Sequence, residues 1–500
     1  MTFSLAPLRS PPSFAALLAL LAACASPPPP ALEDPANCAA LYQGLDRAVE
    51  KAGVRDAQAA PVNGFPELRT DRFLASFAAE PLEGERLTAW VERMRQLDHE
   101  GRRVEVANLP VGVRKSLAPE GDLAQRLDAC NAQWRNSAGE NAARAAAAGV
   151  RQAVEVSDEY RGWQRAAGLY WLSAWGVKMG VEKYHDEVNA VYAKPLEKLP
   201  VTGKLVRYRP PGEPQPAPGE IRDILERSRR NPLAIPDPQG ADRDKLFAAF
   251  APIWEIDAKQ EADQIGVPVW QKQLPVPAIF VNQPTVYRLT AHTRHRDESL
   301  LQLIYLVWFP SRPAAASTDL LAGELDGLMW RVTLDREGKP LFYDSAHNCG
   351  CYHLFFPTAG LTVRPGGVLE EPPFAPQVAP ELAPGERPVL RVSHTAHSLD
   401  RVSARPFGPA IEKSVAWRDY DALRSLPLPD GKSRKSMFGP DGIVPGTQRG
   451  ERFVLWPMGV PAPGEMRQWG HHATAFFGRR HFDDPNLLER SFQSTPEPPR

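Results

Sequence analysis

Hydrophobic and polar positions follow a helical period in the first two fifths of the chain. Apolar residues recur every three or four positions over 41–52, 86–97, 122–134 and 142–154. This spacing places apolar side chains on one face of an α-helix. The sequence therefore predicts a helical domain over residues 38–200.

A stretch rich in tryptophan and tyrosine follows these helices. Trp163, Tyr170, Trp171 and Trp175 lie within 163–181. Such side chains suit a membrane interface, because each combines an apolar body with a polar tip. A stripe of aromatic residues at helical spacing is more often core, however. We expect core here, with membrane docking as the alternative.

From about residue 246 the pattern changes to short runs of β-branched and aromatic residues. These runs predict strands at 253–257, 285–290, 300–309, 330–334, 340–343, 354–356, 389–393 and 452–456. Turns rich in glycine and proline separate them, and 335–338 fits a hairpin turn. The predicted fold class is α+β, with a helical N-terminal region followed by a mainly antiparallel β domain, sandwich-like or barrel-like.

The formal net charge of −1 argues against a nucleic-acid partner, because such proteins normally carry a basic excess.

The first residues have the features of an export signal. Arg9 is the one charged side chain before an apolar run at 14–23. About ten apolar residues match the core of a signal peptide and are too few to span a bilayer, which needs about 20. Leu21-Ala22-Ala23-Cys24 resembles the lipobox of bacterial lipoproteins.

This resemblance implies cleavage before Cys24 and attachment of acyl chains, palmitate among them, to that cysteine. Ala25 follows the cysteine. In this class an aspartate there favours the inner membrane, so the resemblance implies the outer membrane. The rest of the chain resembles uncharacterised lipoproteins of proteobacteria, a resemblance that names no activity.

Composition and pattern together predict five segments. Prolines number 52 and concentrate in predicted breaks such as 27–30 and 208–219. The segments are a signal peptide (1–23), a lipidated cysteine with a proline-rich tether (24–37), a helical domain (38–200), a proline-rich linker with a short helix (201–245) and a mainly β domain (246–500).

The cysteine count bears on disulfides. If Cys24 is lipidated, four cysteines remain, and an even number of cysteines outside the cytoplasm favours disulfide bonds. We predict a bond between Cys38 and Cys130, which would stabilise the fold by very roughly 4 kcal/mol in the loop-entropy model. Two buried free thiols are the alternative.

Histidines and the remaining cysteines converge on one segment. His347, Cys349, Cys351 and His353 alternate, and they would span about 20 Å on a regular strand. Four such ligands cannot meet one metal unless Gly350 bends the chain. Otherwise only some of them act, together with histidines of the pairs His292/His295 and His394/His397.

Three interpretations of this segment stay open. Imidazole and thiolate bind zinc, copper or iron, which makes His347, Cys349, Cys351, His353, His292 and His295 candidate metal ligands. A Cys349–Cys351 disulfide, structural or redox-active, is the second. The third is a nucleophilic Cys351 with His353 as its base.

A partial motif match supports the nucleophile hypothesis. Residues 350–353 resemble the Gly-Cys-hydrophobic-Arg ending of the L,D-transpeptidase motif. The serine–histidine pair expected before the glycine is absent, and His353 replaces the arginine. Two carboxylates at strand spacing, Glu324 and Asp326, are expected to mark a hairpin or loop edge.

The leading functional interpretation is a lipid-anchored cell-envelope protein with a binding or accessory role. Its partners would be the membrane, through the N-terminal lipid, and an envelope protein or polymer. The alternative is an envelope metal-binding or redox enzyme that uses residues 347–353. A cysteine-dependent hydrolase or transpeptidase is the second alternative.

Overall fold

The computed structural model describes residues 35–137, 148–212, 218–272 and 274–494. Residues 1–34, with the predicted signal peptide, Cys24 and most of the tether, lie outside the described residues, as does part of the helix predicted at 142–154. The described chain is α+β: a helical N-terminal region precedes mostly antiparallel and mixed sheets, and none of these sheets closes into a barrel.

The helices are α1 (Pro35–Ala52), α2 (Arg72–Ala75), α3 (Gly84–Asn108), α4 (Val111–Leu117), α5 (Leu123–Ser137), α6 (Gly162–Ala167), α7 (Tyr170–Tyr192), α8 (Pro218–Ser228), α9 (Gly240–Phe250), α10 (Arg452–Leu455) and α11 (Leu487–Ser491). The strands are β1 (Ala60–Val62), β2 (Phe65–Thr70), β3 (Lys204–Arg209), β4 (Ile253–Ala258), β5 (Val267–Val269), β6 (Ala278–Phe280), β7 (Thr285–His295), β8 (Glu298–Arg312), β9 (Gly323–Leu334), β10 (Pro340–His347), β11 (Leu354–Pro357), β12 (Leu361–Val363), β13 (Val389–Val392), β14 (Leu399–Ser403), β15 (Ile411–Ser414), β16 (Ala416–Asp419), β17 (Leu426–Pro427), β18 (Arg434–Lys435) and β19 (Phe492–Ser494).

Two large sheets form the β domain. Strands β7 to β11 pair antiparallel in chain order, and β16 adds parallel to β7, which gives the order β11-β10-β9-β8-β7-β16. The second sheet, β14-β13-β4-β3-β15, is mixed, because β13 pairs parallel with β4 and β15 parallel with β3. The predicted hairpin turn joins β9 to β10, where Gly338 takes a φ of +84°.

One hydrophobic core is shared by the two large sheets. Trp254 and Ile256 of β4 lie in the same cluster as Leu303, Tyr305 and Trp330 of the six-stranded sheet. The opposite face of that sheet packs against the irregular C-terminal segments in a second core. Because both faces are covered, β8 and β9 are buried almost throughout and show little alternation between buried and exposed positions.

The helical region is attached to the β domain by buried charge. Asp56 pairs with Arg424, with 2.6 Å between Oδ2 and Nη2, and accepts a hydrogen bond from Gln468. Asn108 donates to the Arg424 carbonyl oxygen at 2.8 Å. Within the helical region a disulfide bond joins Cys38 of α1 to Cys130 of α5, the pair that the cysteine count predicts.

Three local predictions differ from the structure. The segment 201–245, expected to be a proline-rich linker with a short helix, contains that helix as α8 but also β3 and the start of α9, and β3 is an inner strand of the five-stranded sheet. Residues 452–456 form α10 and the start of a 3-10 turn and not the predicted strand, because an apolar run this short fits a helix as well as a strand.

The tryptophan stretch is the third difference. Trp163 is 65% exposed and Trp171 is 62% exposed, so the expected core position is wrong for these side chains. The helices bury small residues such as Ala174, and Tyr170 packs against the same core, while the tryptophan rings are largely exposed. Within the described residues, no helix combines the length and apolar character that crossing a membrane requires.

Candidate functional site

The chain bends sharply where β10 ends. His347 donates its backbone N–H to the Cys351 carbonyl at 3.0 Å, and Gly350 donates to the His347 carbonyl at 2.7 Å. Gly350 has a φ of +90°, and a Cβ on it would lie 2.6 Å from the Ala473 carbonyl oxygen. Glycine is therefore required at the bend, which separates the four alternating histidines and cysteines.

The bend places His347 in a buried network of carboxylates and imidazoles. The Asp326 carboxylate lies 3.4 Å from His347 Nδ1 and 2.7 Å from His397 Nδ1. The Nε2 atom of His397 lies 3.5 Å from Asp263 Oδ1. We call these four residues the Asp–His cluster. All four are at most 2% exposed.

Four separate segments supply this cluster. Asp326 lies on β9 and His347 at the end of β10, while His397 follows β13 and Asp263 closes a 3-10 turn at Glu261–Asp263. The imidazole of His397 stacks on Phe309, the residue opposite Asp326 in the β8–β9 pairing, at 3.9 Å between ring centroids.

Burial and pairing shift the protonation of the cluster. Burial alone would raise the pKa of Asp326, but His347 and His397 hold that pKa well below its ordinary value. Burial would lower the pKa of His397, yet Asp263 and Asp326 together raise it. For His347 burial prevails over Asp326, so its pKa is lowered. These shifts favour the protonated form of His397, between two carboxylates, and the neutral form of His347.

Backbone strain concentrates around the same cluster. Leu325, Tyr352, Thr395 and His397 have φ angles of +54°, +58°, +63° and +50°. Residues with a Cβ avoid this left-handed region, and such conformations cluster at functional sites. Thr395 donates its backbone N–H to Asp263 Oδ1 at 2.6 Å, which connects this strain to the cluster.

Three polar side chains lie beside the Asp–His cluster: Tyr352, Arg312 and Glu451. The Tyr352 ring lies 5.1 Å from the His347 ring, and the Arg312 guanidinium lies 6.0 Å from the Tyr352 ring. Glu451 is buried nearby, and burial raises its pKa to about 7 despite Arg312 and Arg449. A carboxyl with that pKa can give or take a proton near neutral pH.

His353 belongs to a different network. Its Nε2 atom lies 2.8 Å from Asp344 Oδ2 and its Nδ1 atom 3.1 Å from Thr474 Oγ1. Asp344 is also held in a bidentate ion pair by Arg331. Both ring nitrogens of His353 are therefore occupied, and neither is available as a base for Cys351.

Cys349 and Cys351, the two cysteines within residues 347–353, are free thiols that contact each other. Cys351 donates its backbone N–H to Cys349 Sγ at 3.4 Å. Its hydrogen bond with Cys349, then burial, raise the pKa of the Cys351 thiol well above its ordinary value. A nucleophilic cysteine needs a lowered pKa, so this environment disfavours the nucleophile hypothesis. The thiols border a small, largely apolar cavity of about 20 Å³.

The other candidate ligands lie elsewhere. His292 and His295 are on β7, three positions from β10 in the sheet, which is about 14 Å at the usual strand spacing. His292 Nε2 contacts the Pro236 carbonyl at 2.7 Å. Across the described residues, no three histidine, cysteine, aspartate or glutamate side chains form a group that could hold a metal.

Sequence reasoning found part of the cluster. It selected His347 from the density of histidines and cysteines, and it named His397 as a possible partner. Asp326 was noted only as half of a carboxylate pair with Glu324, which is exposed. No sequence pattern pointed to Asp263, because it is distant in the chain from the other members of the cluster.

Comparison with protein-family models, with curated proteins and with solved structures found no match for this chain.

Proposed function

We propose that this chain is a lipid-anchored protein of the cell envelope, held at the outer membrane by acyl chains on Cys24. The supporting observation is the order of the N-terminal features: Arg9, the apolar run at 14–23 and the lipobox-like Leu21-Ala22-Ala23-Cys24. Labelled palmitate should enter the wild-type chain and a Cys351→Ser control, whereas a Cys24→Ser chain should stay unlabelled. Equal labelling of all three would refute the anchor.

We also propose that the β domain carries an acid–base active site centred on His347. The observation that carries this proposal is the buried Asp326–His347 pair, with Nδ1 of the imidazole 3.4 Å from the carboxylate and the Tyr352 ring 5.1 Å from the imidazole ring. A carboxylate that orients an imidazole is a common arrangement for general-base catalysis.

In this proposal His347 accepts a proton from water or a substrate hydroxyl group. Asp326 fixes the ring and stabilises its protonated form, and the charge of His397 keeps Asp326 ionised. Glu451, with its pKa near 7, returns a proton to the leaving group. The reaction class is hydrolysis or another transfer that needs one base and one acid.

The test uses model substrates of four classes: esters, amides, glycosides and phosphoesters. We expect turnover of one class, with a loss of about 100-fold or more in the His347→Gln chain, since a general base contributes about 10²–10⁴. The matched control is His295→Gln, a partly buried histidine outside the cluster. Turnover that survives in His347→Gln, or none in the wild-type chain, would contradict the proposal.

A binding role is the second candidate function, supported by a cleft between the helical region and β7. The cleft has a volume of about 560 Å³ and is lined by arginines, carboxylates, His292, Phe73 and Trp469. This volume lies in the range of ligand pockets, roughly 300–1,000 Å³. Titration with defined peptidoglycan fragments should show binding that Trp469→Phe weakens and Trp417→Phe, outside the cleft, does not.

A further inference from the structure

An apolar surface is exposed on two neighbouring segments of the described chain. The first segment, α6 with the N-terminal half of α7, exposes Trp163, Trp171, Trp175 and Met179. The second, α10 with the 3-10 turn Trp456–Met458, exposes Phe453 and Trp456. We call these six residues the tryptophan face. Monomeric proteins rarely expose so many large apolar side chains together.

The two segments are packed together, so the face is a single surface. Arg165 donates to the Met458 carbonyl at 2.8 Å, and Arg161 donates its backbone N–H to the Gly459 carbonyl at 2.7 Å. Gly168 lies so close to Pro457 that a Cβ would come within 2.5 Å of it. Beneath the face, Ala174 and Met458 share a small core. The rings are thus presented outward by a packed support.

The chemistry of the face fits a lipid interface. Tryptophan is enriched where membrane meets water, because its ring is apolar and its N–H is polar. Lys178 lies over the Trp175 ring at 5.3 Å, so a cation accompanies the aromatic rings. The neighbouring groove is lined by five arginines and four carboxylates, so its charge is nearly balanced. Attraction to a strongly anionic polymer is therefore not favoured.

The short segment between Cys24 and Pro35 also favours a membrane as the partner of the tryptophan face. Only eleven residue steps separate Cys24 from Pro35, where α1 begins, and the segment starts with four prolines at 27–30. An extended proline-rich chain rises about 3.1 Å per residue, so the tether reaches roughly 34 Å. A lipid on Cys24 would keep the bilayer close to the folded domain and raise its effective concentration.

We propose that the tryptophan face docks on the interfacial region of the bilayer that holds the anchor. The lipid on Cys24 then limits the distance, and the face sets the orientation of the domain on the membrane. This inference rests on the proposed lipid anchor for its setting, while the surface itself is a property of the fold.

The test compares two triple variants in the full Cys24→Ser chain, which removes the lipid. One replaces Trp163, Trp171 and Trp175 with serine. The matched control replaces Val378, Phe407 and Ile411, three exposed apolar residues outside the face, with serine. Flotation with phosphatidylcholine vesicles, and with 3:1 phosphatidylethanolamine–phosphatidylglycerol vesicles, measures the partition coefficient.

We expect the tryptophan variant to lose vesicle binding by about tenfold or more, and the control to stay within about twofold of its parent, on both lipid compositions. Equal binding by the two triple variants would overturn the inference. A parent chain that is dimeric and becomes monomeric only in the tryptophan variant would overturn it too, because a second copy would then cover the face.

Failure of the anchor gives a different result. In that case chains with and without Cys24 would bind vesicles equally, while the tryptophan variant would still bind less. Circular dichroism of both triple variants checks folding, which exposed positions should leave unchanged.

Discussion

Replacing Asp326 with asparagine removes the carboxylate that touches both His347 and His397, while nearly preserving the side-chain shape. Asp326 and His397 are at most 2% exposed, so water cannot compensate for the lost charge. Removing one partner of a buried ion pair costs about 3–5 kcal/mol. Because the new amide oxygen can still accept a hydrogen bond from His397, we expect the lower value, about 3 kcal/mol.

The pH dependence of this loss has a definite sign. The folded-state pKa of His397 is raised above its ordinary 6.5, so its stabilisation is complete below that pH and is lost as pH rises through the folded-state pKa. The pKa of Asp326 is well below its ordinary 3.8, so its contribution is present above that pH and is lost as pH falls through the folded-state pKa. The destabilisation should therefore be greatest between about pH 4 and 6.5 and smaller above.

Urea denaturation followed by tryptophan fluorescence, from pH 4.5 to 9, would measure the free energy of unfolding. The control is Glu324→Gln, an exposed carboxylate two residues earlier on β9, which should change stability by less than about 0.5 kcal/mol. The Asp326→Asn and His397→Gln changes should be strongly non-additive in a double-mutant cycle. Equal effects of Asp326→Asn and Glu324→Gln at pH 6 would refute the assignment of the cluster.

Three further predictions concern other parts of the fold. Gly327→Ala should destabilise the fold by about 2–3 kcal/mol, because the new Cβ would lie 1.9 Å from Asn348 Nδ2. The control Gly112→Ala, which has open space around it, should be neutral or mildly stabilising in thermal unfolding. Cys38→Ser should cost about 4–5 kcal/mol, since the disulfide spans 92 residues, and reductant should destabilise the wild-type chain but not this variant. Glu451→Gln should be more stable than the wild-type chain above pH 7 and lose that advantage below pH 5. Burial raises the pKa of Glu451 to about 7, so ionisation of its carboxyl group opposes folding. A stability difference that does not depend on pH would contradict this.

The fold class followed from hydrophobic periodicity. Period-3.6 stretches became α1, α3 and α5, because one buried face of a helix leaves its period in the sequence. The β-branched runs became strands of the two large sheets, because a strand covered on both faces is apolar almost throughout. Residues 452–456 were misassigned as a strand because a short apolar run has no period of its own.

The candidate site was visible only in part. A local cluster of histidines and cysteines drew attention to His347, since those residue types are rare and chemically specific. Two other members of the Asp–His cluster, Asp263 and His397, come from distant positions in the chain and contact each other and Asp326 through His397. Sequence spacing carries no information about such contacts.

Local composition by itself therefore determined the elements, the fold class and the lipobox-like segment, because each depends on residues that are neighbours in the chain. The tertiary structure decided that His347 lies beside Asp326 and that Arg424 joins the helical region to the β domain. It also decided that Trp163 and Trp171 are exposed. These outcomes depend on how the two sheets and the helices pack, and packing brings together residues that no short-range pattern connects.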